Sequence, residues 1–272
     1  YKMIDFEDRA ELLVAVDEYL ESPNQGVDRL NMSRWNVGKV TDFESLFQGI
    51  RHPAAAFFND PAVGEWDMSS ATTLKYMFDG YDPSQKYTDG HHFNQPLHKW
   101  NTSKVEILTG IFSSNPRFNQ NVNSWDVGKV ADFSCAFCGA SEFNQPLSNW
   151  KVSQANVMHL MFLSAFRFNQ SIGKWDVSRT TNFARMFEQA NSFNQDLTSW
   201  DVASGSSFEY MLYGARSFAQ DLCSWEISGS ILMENMWSDS GCPEQTMYPP
   251  GPSNVSFPQA AQCFPCGTVG DD

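Results

Sequence analysis

The stretch Phe118–Ala140, FNQNVNSWDVGKVADFSCAFCGA, decides the fold because it returns along the chain. Close copies begin at Phe143, Phe168 and Phe193, and a weaker one at Phe218. Trp100, Trp125, Trp150, Trp175, Trp200 and Trp225 follow one another at intervals of 25 residues. A fixed period of this size marks one supersecondary unit stacked on copies of itself, since a single unit cannot bury its own apolar face. The register extends back to Trp66 and Trp35 with wider spacings of 34 and 31 residues. The extra residues fall after the phenylalanine of the unit, in RHPAAAFF and DPSQKYTDGHH. Insertions confined to one point of a repeat emerge on one side of the stack, often a binding side.

Two periodicities alternate inside a unit. Leu147, Trp150 and Val152 alternate with polar residues as a short strand does, with Lys151 outward. Downstream, Val130, Phe133, Ala136 and Phe137 and their equivalents recur at three and four, which predicts a short helix or 3₁₀ segment closed by Ala140, Ala165, Ala190 or Ala215. Thr41, Asp42, Asp132, Asn182 and Ser207 stand where N-caps are wanted. The expected fold is an α/β repeat solenoid with one short parallel strand and one short helix per unit of about 25 residues. Ahead of it, DFEDRAELLVAVDEYLES has a helical apolar stripe, with Asp5 as N-cap and Pro23, Asn24 and Gly26 as the stop. This helix would close the first unit against water. The expected division is an N-terminal helical cap over 1–30, about eight solenoid units over 31–238, and an irregular Cys/Pro-rich tail over 239–272.

The units FNQDLTSWDVASGSSFEYMLYGARS and FNQSIGKWDVSRTTNFARMFEQANS resemble the BspA-type leucine-rich repeats of the DUF285 family, which occur on surface proteins of bacteria, protists and algae. The resemblance runs from Leu30 to about Trp237, although the first two units depart from the pattern and Ala219 replaces the usual Asn in the last. It implies a leucine-rich-repeat-like solenoid, a surface location, and adhesion or recognition. No catalytic residue comes with it.

Composition narrows the function classes. Hydrophobic residues make up 42% of the 272, with 22 Phe and 9 Trp, enough for an extended core. No apolar run approaches the roughly 18 residues of a membrane span. No signal peptide is visible, and Tyr1 reads as a mature or trimmed start. A net charge of -14 argues against nucleic acid, whose phosphates call for clustered Lys and Arg. The even cysteine count, Cys135, Cys138, Cys223, Cys242, Cys263 and Cys266, suggests disulfides and an oxidising compartment. Glycosylation sequons at Asn31, Asn101 and Asn254 fit an extracellular or cell-surface protein. No GxSxG, HExxH, P-loop or dinucleotide fingerprint occurs, so a non-enzyme is expected.

Four groups of side chains are candidates for chemistry. Asn94, Asn119, Asn144, Asn169 and Asn194, each beside a core Phe, are expected to form a buried structural ladder whose amides satisfy backbone groups at the turn. One position after each Trp, the outward row includes Asp67, Asp126, Lys151, Asp176, Asp201 and Glu226, a candidate partner-binding face. Asp176, Asp201 and Glu226 would stand in a like-charged column that a basic partner or Ca²⁺ could neutralise; no other cofactor is expected. Cys135 and Cys138, three apart, read as a local disulfide or two packed thiols, and the remaining cysteines as tail disulfides whose pairing is open. His52 and the pair His91 and His92 lie in the insertions and read as solvent-exposed.

The expected function is non-catalytic recognition or adhesion, with the sheet face and the loop insertions binding a protein or glycan partner. The alternatives are a self-assembling structural subunit of an extracellular matrix or filament, and a surface metal-binding protein using the acidic column. Neither nucleic acid nor a membrane span enters any of the three.

Overall fold

The structure, a computed structural model, describes residues 2–21, 31–81, 90–222, 224–227 and 231–241. Cys223, Cys242, Asn254, Cys263 and Cys266 lie outside the described residues, as do 22–30 of the expected cap and 82–89 of the second insertion.

Strand β1 (Ile4–Asp5) leads into helix α1 (Arg9–Glu21), and β1 pairs in parallel with strand β2 (Trp35–Asn36). Asp5 is spent in that pairing, so Asp8 caps α1 instead, its carboxylate accepting from the Glu11 N–H at 3.0 Å. Leu12, Val16 and Leu20, four apart, are the buried stripe of α1, whereas Val14 points to solvent. Short 3₁₀ turns at Met32–Arg34, Pro53–Phe57 and Pro61–Glu65 follow, the second of them built on the first inserted residues.

From Trp35 onward the units lie side by side. Parallel bridges connect Asp42, Thr73, Ile107, Asp132, Val157, Asn182, Ser207 and Leu232 in succession, each residue seven after its tryptophan. Here the local structure differs from expectation. Among the described residues α1 is the one α-helix, and the Trp-x-Val segment forms a strand only at β2. The segment with three- and four-residue spacing is a run of overlapping turns rather than a helix. Ala136, Cys138 and Ala140 donate back to Phe133, Cys135 and Phe137, three residues earlier. The alternate N–H groups of Phe133, Cys135, Phe137 and Gly139 leave the unit and donate to Val157, His159, Met161 and Leu163 of the next, at 2.7–2.9 Å. The same ladder recurs between neighbouring units from Phe43 to Ser238.

This geometry needs a left-handed residue ten positions after the tryptophan. Ser45, Tyr76, Gly110, Cys135, Leu160, Arg185, Tyr210 and Asn235 all have φ between 51° and 61°. Such a φ costs a non-glycine residue about 1–2 kcal/mol. Each such N–H except Asn235's is bonded to the next unit, so the ladder offsets the strain. Gly110 has a further reason to lack a side chain, because a Cβ there would meet the Tyr76 ring at 2.3 Å.

One contiguous core runs from Phe6 to Met236. Indoles stack unit on unit, as for Trp100 and Trp125 with centroids 5.8 Å apart and planes 7° from parallel. Beside them stand two phenylalanine columns. Phe137, Phe162 and Phe187 repeat at 5.6 Å, and each stacks on the phenylalanine of the next FNQ at 3.9–4.2 Å. Each indole from Trp100 to Trp225 also donates to a backbone carbonyl of the preceding unit, Trp150 Nε1 to Val122 at 3.0 Å for example. Trp66 Nε1 is buried with no partner among the described residues.

Candidate functional surface

The FNQ asparagines form a hydrogen-bonded row. The Asn119 side-chain oxygen accepts from the Asn144 N–H at 3.0 Å and from Gln145 Nε2 at 3.1 Å. Asn94, Asn144, Asn169 and Asn194 repeat the pattern, starting from Asn59 and ending on the Ala219 N–H. Ala219 has no amide to pass the chain on. The row is half-buried or exposed rather than buried, with Asn144 and Asn169 in solvent. It holds turns together from outside the core.

The row after each tryptophan is half-buried at Asn36 and exposed from Asp67 to Glu226, and its chemistry is mostly local. Asn36, Asp67, Asn101, Asp126, Asp176 and Asp201 each accept from the backbone N–H two residues on, at 3.0–3.2 Å. This Asx turn is the physical reason why Asp and Asn dominate the position. The Ser178 hydroxyl at 2.6 Å, with the Ser178 N–H, holds the Asp176 carboxyl below the usual carboxylate range. Lys151 and Glu226 are exposed in the same row. Among the described residues no three His, Cys, Asp or Glu side chains gather into a metal-holding group, so Asp176, Asp201 and Glu226 do not converge. Asn31 and Asn101 are exposed, each with its side-chain oxygen turned onto the backbone of the serine two residues on.

The histidines divide. His91 is fully buried, contrary to the solvent exposure expected of an insertion. Its Nδ1 accepts from the Phe93 N–H at 3.0 Å and its Nε2 lies 2.9 Å from the Phe47 carbonyl, so the neutral ring bridges two units. Burial pushes its pKa down to about 3. His52 caps the 3₁₀ turn at Pro53–Phe57, its Nδ1 accepting from the Ala54 N–H at 3.3 Å.

The outward face of the turn ladder brings together residues that, Cys135 and Cys138 apart, no sequence motif marks. Ten positions after the tryptophan the residue varies along the stack, as Ser45, Tyr76, Gly110, Cys135, Leu160, Arg185, Tyr210 and Asn235, so that no two neighbouring units present the same side chain. Cys135 and Cys138 are disulfide-bonded on this face. Beyond them the Arg185 guanidinium lies 4.7 Å over the Tyr210 ring and 3.3 Å from Glu188. Tyr210 packs edge-on against Tyr213 at 5.7 Å and donates its hydroxyl to Glu234 at 3.1 Å. Asp239, by its charge and its hydrogen bond, pushes the Tyr213 hydroxyl pKa up. Burial lowers the His159 pKa, and the Arg185 charge adds to the effect. The available signal was variability at the tenth and thirteenth positions, between core positions that hardly change. Two shallow polar grooves lie on other parts of the units, one containing Lys129 and Arg179, a few residues after the tryptophans, and the other Asn121, Asn123 and Asn149, just before them.

Comparison with known proteins settles the family. The model described as Mycoplasma protein of unknown function, DUF285, matches three overlapping stretches, residues 21–89, 81–167 and 155–247. The chain belongs to the DUF285 family. Its three DUF285 matches together cover all the tryptophan-bearing units, so the family signature and the stacked units coincide. No curated protein and no solved structure matches the chain. No helix among the described residues is long and apolar enough to cross a membrane.

Proposed function

We propose that this DUF285 chain is a leucine-rich-repeat-like solenoid that serves as a non-catalytic recognition module outside the cell or at its surface. It binds a protein or glycan partner through the outward face of its turn ladder. The observation that carries this reading is the cluster of Arg185, Tyr210, Tyr213 and Glu234, set on a scaffold whose inward positions repeat. Tyrosine and arginine are the side chains that most often anchor interfaces, and repeats make long, continuous faces for them. The Cys135–Cys138 bond and the exposed Asn31 and Asn101 sequons support an oxidising, extracellular setting.

The face assigned here differs from the row after the tryptophans, whose aspartates are engaged in their own turns. Binding of the folded chain to a glycan array and to a panel of extracellular proteins tests the reading. Tyr210→Ala with Tyr213→Ala should weaken any specific binding about tenfold or more. Asp176→Lys, Asp201→Lys and Glu226→Lys should change it far less. The opposite ranking would return the site to the acidic row.

A further inference from the structure

The outward face of the turn ladder carries one apolar row. Seven, ten, thirteen and sixteen positions after its tryptophan, the unit of Trp150 presents Val157, Leu160, Leu163 and Phe166. No other unit is apolar at all four places. The unit before begins that series with Asp132 and ends it with Ser141, and the unit after is polar throughout, with Arg185 and Glu188 at its centre. Val157, Leu160 and Leu163 are half-buried and Phe166 is 43% exposed, so the row meets solvent. Keeping it there is unfavourable to the scaffold. On either side Asp132 and Asn182 accept from the N–H two residues on, at 2.7 and 2.9 Å, whereas Val157 has no oxygen to do the same. Leu160 holds φ at 60°, where Gly or Asn would sit with less strain. An apolar row kept in water against both penalties marks a contact site.

A charge feature lies along the axis from this row. Nine positions after the tryptophan, Glu44 and Lys75 of neighbouring units make an ion pair at 3.1 Å. Glu209 and Glu234 hold the same register further along the stack, two carboxylates where opposite charges can meet. Their side-chain hydrogen bonds come from neutral donors, Ser207, Tyr210 and Asn235. We propose that the partner is a polypeptide segment rather than a glycan, with an apolar side chain seated on Leu160 and Leu163 and a Lys or Arg beside Glu209 and Glu234. This rests on the reading of the turn-ladder face as the binding face and names what that face binds. Successive units are about 4.8 Å apart, so the two carboxylates lie about 10 and 14 Å along the axis from Leu160. An extended chain advances about 3.3 Å per residue, which puts the cation three or four residues from the apolar anchor. A glycan fits poorly, because its hydroxyls would lose water over four apolar side chains without gaining a partner. The Tyr210 ring, the nearby aromatic surface, already lies under Arg185. A second copy would bring a net charge of -14 against its equal.

Selection from a random-sequence peptide display library on the immobilised full chain tests the proposal, with a glycan array run in parallel. Enriched peptides should carry an aliphatic or aromatic residue three or four positions from a Lys or Arg. Their affinity should fall about tenfold or more for Leu160→Asn with Phe166→Ser. Asparagine tolerates the left-handed φ at 160, so this chain should keep its native melting transition. Glu209→Lys with Glu234→Lys should weaken the same peptides and remove the salt dependence of their binding. Failure to enrich peptides overturns the proposal; if glycans bind instead, the turn-ladder reading stands. Peptides that need Tyr210 and Tyr213 but tolerate both pairs of substitutions also overturn the proposal and spare that reading. Peptides indifferent to all these positions overturn both. Self-association of the native chain that Leu160→Asn with Phe166→Ser abolishes would make a second copy the occupant, and overturns the proposal too.

Discussion

The two ends of the stack solve opposite problems. Over the turns eight to fourteen residues after each tryptophan the N-terminal end presents carbonyls and the C-terminal end N–H groups, because there the inter-unit bonds run one way, whereas at the bridge just before them Asn156 and Val157 donate back to Ala131. The stack therefore resembles a helix seen end-on, with unsatisfied acceptors at one terminus and donors at the other. At the acceptor end the chain supplies cations. Arg9 and Arg51 donate to the exposed carbonyls, Asp17 holds Arg51 in place, and α1 buries Leu12, Val16 and Leu20 over the first unit. At the donor end the described chain supplies no such cover, and Met233 and Trp237 remain half-buried. The comparison teaches that closure here is a matter of backbone polarity as well as apolar area. A helix with arginines suits one end and could not serve the other.

The largest effect should come from a direct contrast in burial. Leu12→Ala should lower unfolding free energy by about 3 kcal/mol in urea titration, since a fully buried leucine leaves a cavity. Met233→Ala at the other end should cost about 1 kcal/mol, because its side chain is already half in water. Similar costs would remove the asymmetry. Arg51→Ala comes next, with a loss of about 2 kcal/mol, as it strips charged donors from the carbonyl row and leaves Asp17 without its partner.

A similar magnitude should appear as pH dependence between the ends, at His91. The folded chain binds the His91 proton only near pH 3, while the unfolded chain binds it at the ordinary 6.5. The unfolded state thus takes up more protons between those values. Stability present above pH 6.5 should fall as pH drops, by about 1.4 kcal/mol per pH unit. Burial raises the Asp79 pKa, which works in the opposite direction at lower pH. Urea unfolding at pH 6.5 and 5 should therefore differ by about 2 kcal/mol more in the native chain than in His91→Gln. The smallest effect belongs to the exposed row. Asn144→Ala should cost about 1 kcal/mol, because water can replace its bonds to Asn169 and Gln170.

How much of this the sequence disclosed follows from which physical constraint each residue obeys. The indole column, the FNQ row and the helix with its Leu12 stripe are legible because burial repeats the same residue at the same interval. The turn ladder is not. Phe133, Ala136 and Phe137 sit at spacings of three and four, which overlapping turns share with a helix, and periodicity cannot separate the two. Glycine would have marked the left-handed positions, but Cys135, Leu160, Arg185 and Tyr210 hold positive φ there against the bond to the next unit. His91 reads as a loop residue because its two backbone partners, Phe47 and Phe93, become neighbours only in the folded stack. The Tyr210 cluster was hidden for a related reason: it is assembled from different units, and no local motif announces it.

The central claim is that successive units advance along one axis by a single inter-strand step. Spin labels installed at Asp67, Asp126 and Glu226, all exposed, measure it by pulsed dipolar spectroscopy. At about 4.8 Å per step, the pair at 126 and 226 should lie about 19 Å apart and the pair at 67 and 226 about 29 Å apart. Separations that fail to grow in this ratio, or that are equal for the two pairs, would contradict a continuous stack.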